Sequence, residues 1–268
     1  MTTLKDEVFL LCKQLDERYI INVYNRDNMQ EVKEVIPLPG TDAQFMAGCN
    51  VSDCLYICVT QGDSIYPSVL RISRDEDHTF KISSWKTDNR VIWVMTVSAN
   101  GSLVILSSSG LRSSAAVYNA DGTLQREIDL AQDINMFSYT RVIQKSNGNL
   151  VLSYVGFQSD QQTLFEFDMN WSVVRQRQLS CEPSKRCCMN LADDNDRIMI
   201  ATDCERIQLL DSEFNLLGVY SLHRAGECLV CLTDMHYDSN WNEIVHVHHD
   251  SSGPTVTSVL TIFRFIEE

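Results

Sequence analysis

The chain has 268 residues, of which 44% are hydrophobic and 22% are charged. This length and composition suit a globular protein with a well-buried core and argue against a disordered or low-complexity chain. The formal net charge is −14, which disfavours binding to a phosphate backbone unless a local basic patch overrides the total.

The apolar runs are short. Stretches such as "EVFLLC" and "VTSVLTIF" have the length of a strand, whereas a helix needs roughly 20 apolar residues to span a bilayer. The opening segment "MTTLKDEVFLLCKQLDE" has neither the apolar core nor the small-residue cleavage site of a secretory signal. We therefore expect a cytoplasmic protein with no membrane partner.

The chain contains ten cysteines at irregular spacing, and most of them fall in alternating segments such as "CLYICV". A long chain without a secretory signal gives little reason to expect a disulfide framework. Free cysteine behaves as a small buried hydrophobic residue. The cysteines are therefore predicted to be free core thiols, and no cofactor is predicted.

A hairpin pattern recurs along the chain. The stretch "MTVSANGSLVILSSS" alternates apolar and polar residues on both sides of Asn100-Gly101, which is typical of a β-hairpin. Similar turns recur about every 43 to 49 residues, a spacing typical of four-stranded repeats. The first series of turns centres near Ser52, Asn100, Asn147, Asn195 and Asn240. The second series centres near Asp27, Glu76, Asp121, Asn170 and Glu213.

The two interleaved series predict an all-β fold: a six-bladed β-propeller of four-stranded antiparallel blades in one domain, 1–268. The approximate blades, in chain order, are 1–41, 42–89, 90–134, 135–183, 184–227 and 228–268. The first strand of blade one has only "MTTLKD" as a candidate, and the last blade has no clear fourth strand. We therefore expect incomplete ring closure, as in a domain cut from a longer chain.

One blade carries a family resemblance. The stretch "SANGSLVILSSSGLRSSAAVYNADGTLQREIDL" resembles the blades of NHL-type and TolB-like six-bladed propellers. Most other blades lack the glycine that usually opens the first strand, and the Asp-Gly turn is intact only at Asp121-Gly122. Such domains occur at the C-terminus of animal tripartite-motif-like proteins, so the resemblance implies a partner-binding part of a larger protein.

The loops that join strands two to three, and strand four to the next blade, are predicted to form the working surface. They mix aromatic, arginine and acidic residues, a composition that favours recognition of a protein or peptide. The candidate anchors are Tyr66, Trp85, Arg90, Arg112, Phe157 and Arg224. The function predicted is non-enzymatic protein–protein interaction, as a scaffold or substrate-recognition module. Single-stranded RNA binding on the same face is the first alternative, although acidic residues in these loops disfavour nucleic acid.

A metal site is the weaker candidate. His246 and His248 are two residues apart and would share one face of a strand, where Asp250 could complete part of a ligand set. The alternative is a strand with two solvated histidines. A metal-dependent hydrolase of lactonase type is the second functional alternative, but the predicted first strands carry few Asp, Asn or Glu residues that could hold calcium, with Asp234 and Asn190 as exceptions.

Overall fold

The computed structural model describes most of the chain. The described residues are 2–14, 16, 18–25, 28–39, 42–60, 66–77, 79–87, 91–109, 112–130, 141–155, 162–179, 188–191, 195–201, 206–221, 230–238, 243–250 and 257–264. Within these ranges every regular element is a β-strand. None of the described residues forms a helix long and apolar enough to cross a membrane.

The strands of the first half are short and follow one another closely. They are β1 (Thr2–Leu4), β2 (Glu7–Lys13), β3 (Tyr19–Asn25), β4 (Asn28–Pro37), β5 (Asp42–Cys49), β6 (Cys54–Thr60), β7 (Ser68–Arg74), β8 (Phe80–Lys86), β9 (Val91–Val97), β10 (Leu103–Ser109), β11 (Arg112–Tyr118) and β12 (Leu124–Asp129). Each set of four consecutive strands forms one antiparallel sheet, giving sheets one to three.

The second half repeats this plan. Its strands are β13 (Arg141–Gln144), β14 (Leu150–Val155), β15 (Gln162–Phe167), β16 (Val173–Leu179), β17 (Cys188–Leu191), β18 (Ile198–Ala201), β19 (Arg206–Leu210), β20 (Leu216–Ser221), β21 (Val230–Asp238), β22 (Glu243–Asp250) and β23 (Thr257–Arg264). They form two four-stranded sheets, four and five, and a three-stranded sixth sheet of β21, β22 and β23.

The chain divides into two compact units, Met1–Asn135 and Met136–Glu268. In the first unit, the first strands of successive sheets are neighbours: β1 lies beside β5, and β5 lies beside β9. In the second unit, β13 lies beside β17 and β17 beside β21. Adjacent first strands with the later strands stacked outward are typical of propeller blades.

Strand β6 shows why the sequence "CLYICV" is apolar throughout. Its side chains alternate between two faces, and both faces are covered within the first unit. Leu55, Ile57 and Val59 pack in a cluster with residues of sheet one, such as Phe9. The intervening residues Cys54, Tyr56 and Cys58 pack in a separate cluster with residues of sheet three, including Ile105. A blade in this position therefore needs apolar residues at every position of its second strand.

The structure confirms the all-β prediction, but it does not confirm six four-stranded blades. Five sheets have the predicted four strands, whereas the sixth has three among the described residues. The uncertain first strand exists as β1, which pairs with β2 from Thr2 opposite Phe9 to Leu4 opposite Glu7. The start of the segment "GTLQREIDLAQDINMF" forms β12, the fourth strand of sheet three. Its end, 131–137, lies outside the described residues.

Five of the described hairpin turns share one backbone form. In the turn Asn119–Thr123, the amide of Asn119 donates to the carbonyl of Thr123 at 2.9 Å, and the amide of Gly122 donates to the carbonyl of Asn119 at 3.0 Å. The fourth residue has positive φ, +86° at Gly122. This is a turn closed by a bulge, which needs one residue in the left-handed region. Trp171 and Phe214 occupy the same place in sheets four and five, at φ 65° and 69°.

Candidate functional site

A cleft of about 500 Å³ lies between sheets one and two. It sits where the β1–β2, β5–β6 and β7–β8 turns meet, at the end of β7 that carries Arg74. Its lining combines apolar and charged side chains. The apolar residues are Leu4, Phe9, Leu55, Ile72 and Phe80. The charged and polar residues are Lys5, Asp6, Glu7, Asn25, Lys33, Asp53, Ser73, Arg74 and Asp75.

Arg74 is the most firmly held charged group of the cleft. Its Nη2 donates to both carboxylate oxygens of Glu7, at 3.0 and 2.9 Å. Its guanidinium carbon also lies 4.5 Å from the centre of the Phe80 ring, a cation–π contact. Lys33 donates to the same Glu7 carboxylate. Glu7 belongs to sheet one and Arg74 to sheet two, so the ion pair joins neighbouring sheets.

The rim of the cleft carries exposed charges of both signs. Lys5 Nζ donates to Asp53 Oδ2 at 2.7 Å, and both side chains are about half exposed or more. Asp75 accepts from the Thr79 hydroxyl at 2.7 Å and from its amide at 2.9 Å. These two hydrogen bonds, the hydroxyl's first, lower the pKa of the Asp75 carboxyl. The Asp75 carboxyl is therefore ionised at neutral pH, beside the lysine and arginine residues of the cleft.

This arrangement suits recognition of a peptide. A pocket with an apolar lining and a few placed polar groups holds one or two side chains of a ligand. Arginine held in one orientation against an aromatic ring is typical of residues that contribute most to protein interfaces. The lining has three lysine and arginine residues against four acidic ones, so its field does not favour a polyphosphate.

The predicted loop anchors lie elsewhere. Tyr66 precedes β7 and Arg112 begins β11, so both mark the starts of third strands in neighbouring sheets of the first unit. Both side chains are exposed. They lie at the end of the sheets opposite the cleft, because Tyr66 and Arg74 flank opposite ends of β7. The structure thus describes two of the six anchors as exposed, and it does not bring them to the cleft.

Trp85 differs from its predicted place in a loop. It lies in β8, opposite Val69 of β7, and its ring is partly buried against the cluster between sheets two and three. The ring centre is 6.0 Å from that of Tyr56 and 6.5 Å from that of Tyr118. Its buried Nε1 has no hydrogen-bond partner among the described residues. Trp85 is therefore a packing residue between two sheets in this structure.

The other predicted site residues lie wholly or partly outside the described part of the chain. Arg90, Phe157 and Arg224 lie outside the described residues. His246, His248 and Asp250 belong to β22, where His246 pairs with Met235 and His248 with Leu232. Their backbone spacing is that of one strand face, while their side chains lie outside the described part. Among the described side chains, no group of three or more His, Cys, Asp or Glu residues is placed to hold a metal ion.

The described thiols belong to the core and its margin. Cys49, Cys54 and Cys58 are free and buried, and Cys12 is free and half-buried. Burial raises the pKa of the Cys12, Cys54 and Cys58 thiols, that of Cys58 to about 12. Such thiols are protonated at neutral pH and are poor nucleophiles. The prediction of buried free cysteines is confirmed for Cys49, Cys54 and Cys58.

Neither a protein-family model nor a curated protein sequence matches the chain. Solved structures do match it, at low sequence identity. A protein of unknown function from Bacteroides caccae matches with a TM-score of 0.64 and 11% identity, covering 93% of this chain and 85% of its own. Virginiamycin B lyase from Staphylococcus aureus, solved with quinupristin, matches with a TM-score of 0.56 and 10% identity, covering 96% and 88%.

A third match is Sqt1 from Chaetomium thermophilum bound to the N-terminus of the ribosomal protein L10, with a TM-score of 0.55 and 11% identity, covering 96% and 72%. Identities this low show the fold alone. Together with the sheet order, they define the chain as an all-β protein of the propeller class. The matches include both an enzyme and a protein-binding protein, so the fold leaves the activity open.

Sequence reasoning missed the cleft because its parts are distant in the chain. Glu7 and Arg74 are 67 residues apart, and each stands at a strand end that reads as an ordinary charged turn. One signal could have indicated the pairing. The repeat period places the turn between the first and second strands of one blade beside the turn between the third and fourth strands of the next blade.

Proposed function

We propose that the chain is a non-enzymatic interaction module that binds a protein or peptide partner in the cleft between sheets one and two. The observation that carries this proposal is the Arg74 guanidinium, held by Glu7 and stacked on Phe80 beside an apolar lining. A cation fixed before binding loses little freedom when a partner arrives, which favours affinity.

The chemistry of the cleft indicates the kind of segment that fits. An apolar side chain of the partner would pack against Phe80, the partly exposed ring of the lining, and the partner's own charges would meet the Lys5–Asp53 pair at the rim. Exposed rim pairs contribute mainly to orientation and association rate. The likeness to Sqt1 bound to a ribosomal protein N-terminus supports a peptide-binding role by analogy of fold only.

A second contact surface is proposed at the opposite end of the same sheets. Tyr66 and Arg112 are exposed there at the starts of neighbouring third strands. With Arg90, Phe157 and Arg224, they remain the proposed anchors on the loop-rich face. We further propose that the six sheets are six blades of one NHL-type propeller, that the module belongs to a larger protein and that it is cytoplasmic.

Capture of partners by the immobilised full chain tests the cleft. The blocking variant is Asn25→Trp, because Asn25 lines the cleft and is exposed. The matched control is Asn50→Trp, an exposed asparagine of the β5–β6 turn that does not line the cleft. Lysate proteins are captured with and without ribonuclease and quantified by mass spectrometry.

We expect a ribonuclease-resistant set of proteins that binds the original chain and the Asn50→Trp control equally, and that falls at least about tenfold on Asn25→Trp. Equal capture by all three proteins would remove the cleft from the proposal. Loss of the captured set on ribonuclease treatment would favour the RNA alternative, and chemical change of a captured molecule on the matrix would favour an enzyme.

A further inference from the structure

The outer strand of sheet five differs from every other described fourth strand. Strand β20, "LLGVYS", contains no charged residue, and it is the last strand of its sheet. The fourth strands β4, β8, β12 and β16 occupy the same edge position in their sheets and all carry charges. Those residues are Glu31, Lys33, Glu34, Lys81, Lys86, Arg126, Glu127, Asp129, Arg175 and Arg177. Charges on an edge strand oppose pairing with another chain, and β20 lacks this protection.

The side chains of β20 are exposed although they are apolar. Leu216, Leu217, Val219 and Tyr220 are 50%, 53%, 51% and 43% exposed. They alternate along the strand, so both faces of this edge present apolar surface. Four such residues within six positions form a contiguous patch, which in soluble proteins marks an interaction site.

The sequence of β20 is complementary to itself. When two copies of the strand run antiparallel with Gly218 opposite Gly218, Leu217 faces Val219 and Leu216 faces Tyr220. Both of these side-chain pairs are apolar on apolar, the kind of cross-strand pair that stabilises antiparallel sheets. The arrangement is isologous, since each copy contributes the same residues about a twofold axis.

The self-complementary pattern of β20 points to a second copy as the occupant, and the absence of charge on this strand permits the approach. Each copy carries a formal charge of −14, so two copies repel wherever charged surfaces meet. An uncharged edge is where two such molecules can approach without burying an unpaired charge. We propose that the chain forms a homodimer in which β20 pairs antiparallel with β20 of a second copy, centred on Gly218, joining two sheets into one. This inference is independent of the cleft.

Sedimentation velocity of the full chain over a range of concentrations tests the proposal. Leu217→Lys places a charge in the centre of the pairing. The matched control is Val174→Lys on β16, because Val174 is 54% exposed and also lies on a fourth strand. We expect a dimer for the original chain and for Val174→Lys, and at least about a tenfold weaker dimer for Leu217→Lys. Thermal unfolding checks that both variants fold.

A disulfide tests the register. Opposed residues of antiparallel strands have Cα atoms about 4.5–5.5 Å apart, within the range that a disulfide bridges. Mild oxidation of Gly218→Cys with oxidised glutathione should therefore give a covalent dimer on a non-reducing gel, absent from the oxidised original chain. A monomer at all concentrations, a dimer unaffected by Leu217→Lys, or a Gly218→Cys protein that fails to cross-link would overturn the proposed pairing.

Discussion

Two turns with the same backbone use opposite packing schemes. In sheet three, the turn Asn119–Thr123 has glycine at its positive-φ position, and Trp85 of sheet two packs onto it. In sheet five, the turn Asp211–Asn215 has Phe214 at that position, fully buried beside residues of sheet four. The aromatic ring comes from the preceding sheet in one case and from the turn itself in the other.

The neighbours of each ring differ accordingly. Phe214 lies 5.1 Å from Lys145 Nζ and 5.7 Å from Arg175 Cζ, and Arg177 donates to its carbonyl. Lys145 in turn is buried and donates to Glu166 Oε2 at 2.8 Å and to the Ser212 carbonyl at 2.6 Å. The contact between sheets two and three places Trp85 against an apolar cluster of aromatic rings, thiols and aliphatic side chains. A repeated turn therefore fixes the position of an inter-sheet contact, while the chemistry of the contact varies.

The largest effect is expected at Phe214. Phe214→Ala removes a fully buried ring and should lower the free energy of unfolding by about 3–5 kcal/mol. It also leaves a residue with a Cβ at positive φ, which costs roughly 1 kcal/mol relative to glycine. Phe214→Gly should therefore be more stable than Phe214→Ala, the reverse of the usual order in a strand. Urea unfolding of the original chain and the two variants measures both differences. A Phe214→Ala variant more stable than Phe214→Gly would contradict the positive φ at this position.

The buried ion pair of sheet four gives the second prediction. Lys145→Met leaves Glu166 buried without its cation and should cost about 3–5 kcal/mol of unfolding free energy. Adding Glu166→Leu should recover most of that loss, because the remaining charge is removed with it. The exposed pair is the control: Lys5→Met, which leaves Asp53, should cost less than about 1 kcal/mol. Similar losses in both single variants would show that Lys145 is solvated.

The sequence predicted the strands and turns well because period-2 alternation and Asn-Gly or Asp-Gly pairs report local geometry. The turn at Gly122 was visible for this reason. The turn at Phe214 was placed correctly, but nothing local indicates that Phe214 adopts positive φ, since that conformation depends on a neighbouring sheet receiving its ring. Trp85 was assigned to a loop because "SSWK" lacks apolar alternation, and its burial depends on the next sheet.

The candidate site was harder to predict than the fold. Arg112 and Tyr66 were identified as exposed residues from loop composition, a local property. The cleft around Arg74 depends on contacts between residues of different sheets, and composition does not report which turns become neighbours. Long-range ion pairs such as Glu7–Arg74 follow from the order of the sheets, which only the repeat period encodes.

Gly122 gives a smaller effect with a clear partner. A Cβ at Gly122 would lie 2.6 Å from Trp85 Cδ2, at a φ of +86°. Gly122→Ala should therefore cost about 1–3 kcal/mol through overpacking and backbone strain. Trp85→Leu in the same chain should remove the overpacking part, giving a positive coupling in a double-mutant cycle. Gly148→Ala is the control, because Gly148 has a similar φ of +87° and its nearest atom is the sulfur of the flexible Met169 side chain, at 3.1 Å. Additive losses in the cycle would show that Trp85 and Gly122 are not coupled.

The smallest effect is a pH dependence that belongs to the side of sheet two facing Trp85. Burial, with a smaller contribution from Asp42, raises the pKa of the Cys58 thiol to about 12 from an ordinary value of 9.0. Above pH 9 the unfolded chain releases this proton and the folded chain retains it, so the stabilisation present below pH 9 is lost as pH rises towards 12. One such thiol lowers the unfolding free energy by about 1.4 kcal/mol per pH unit. Cys58→Ala should flatten the slope of the unfolding free energy between pH 9 and 11 by this amount, measured by urea unfolding at each pH.

The control is Cys12→Ala, at a half-buried thiol, which should flatten the slope less. Equal slopes in the original chain and in Cys58→Ala would mean that this thiol ionises as readily in the folded chain as in the unfolded one.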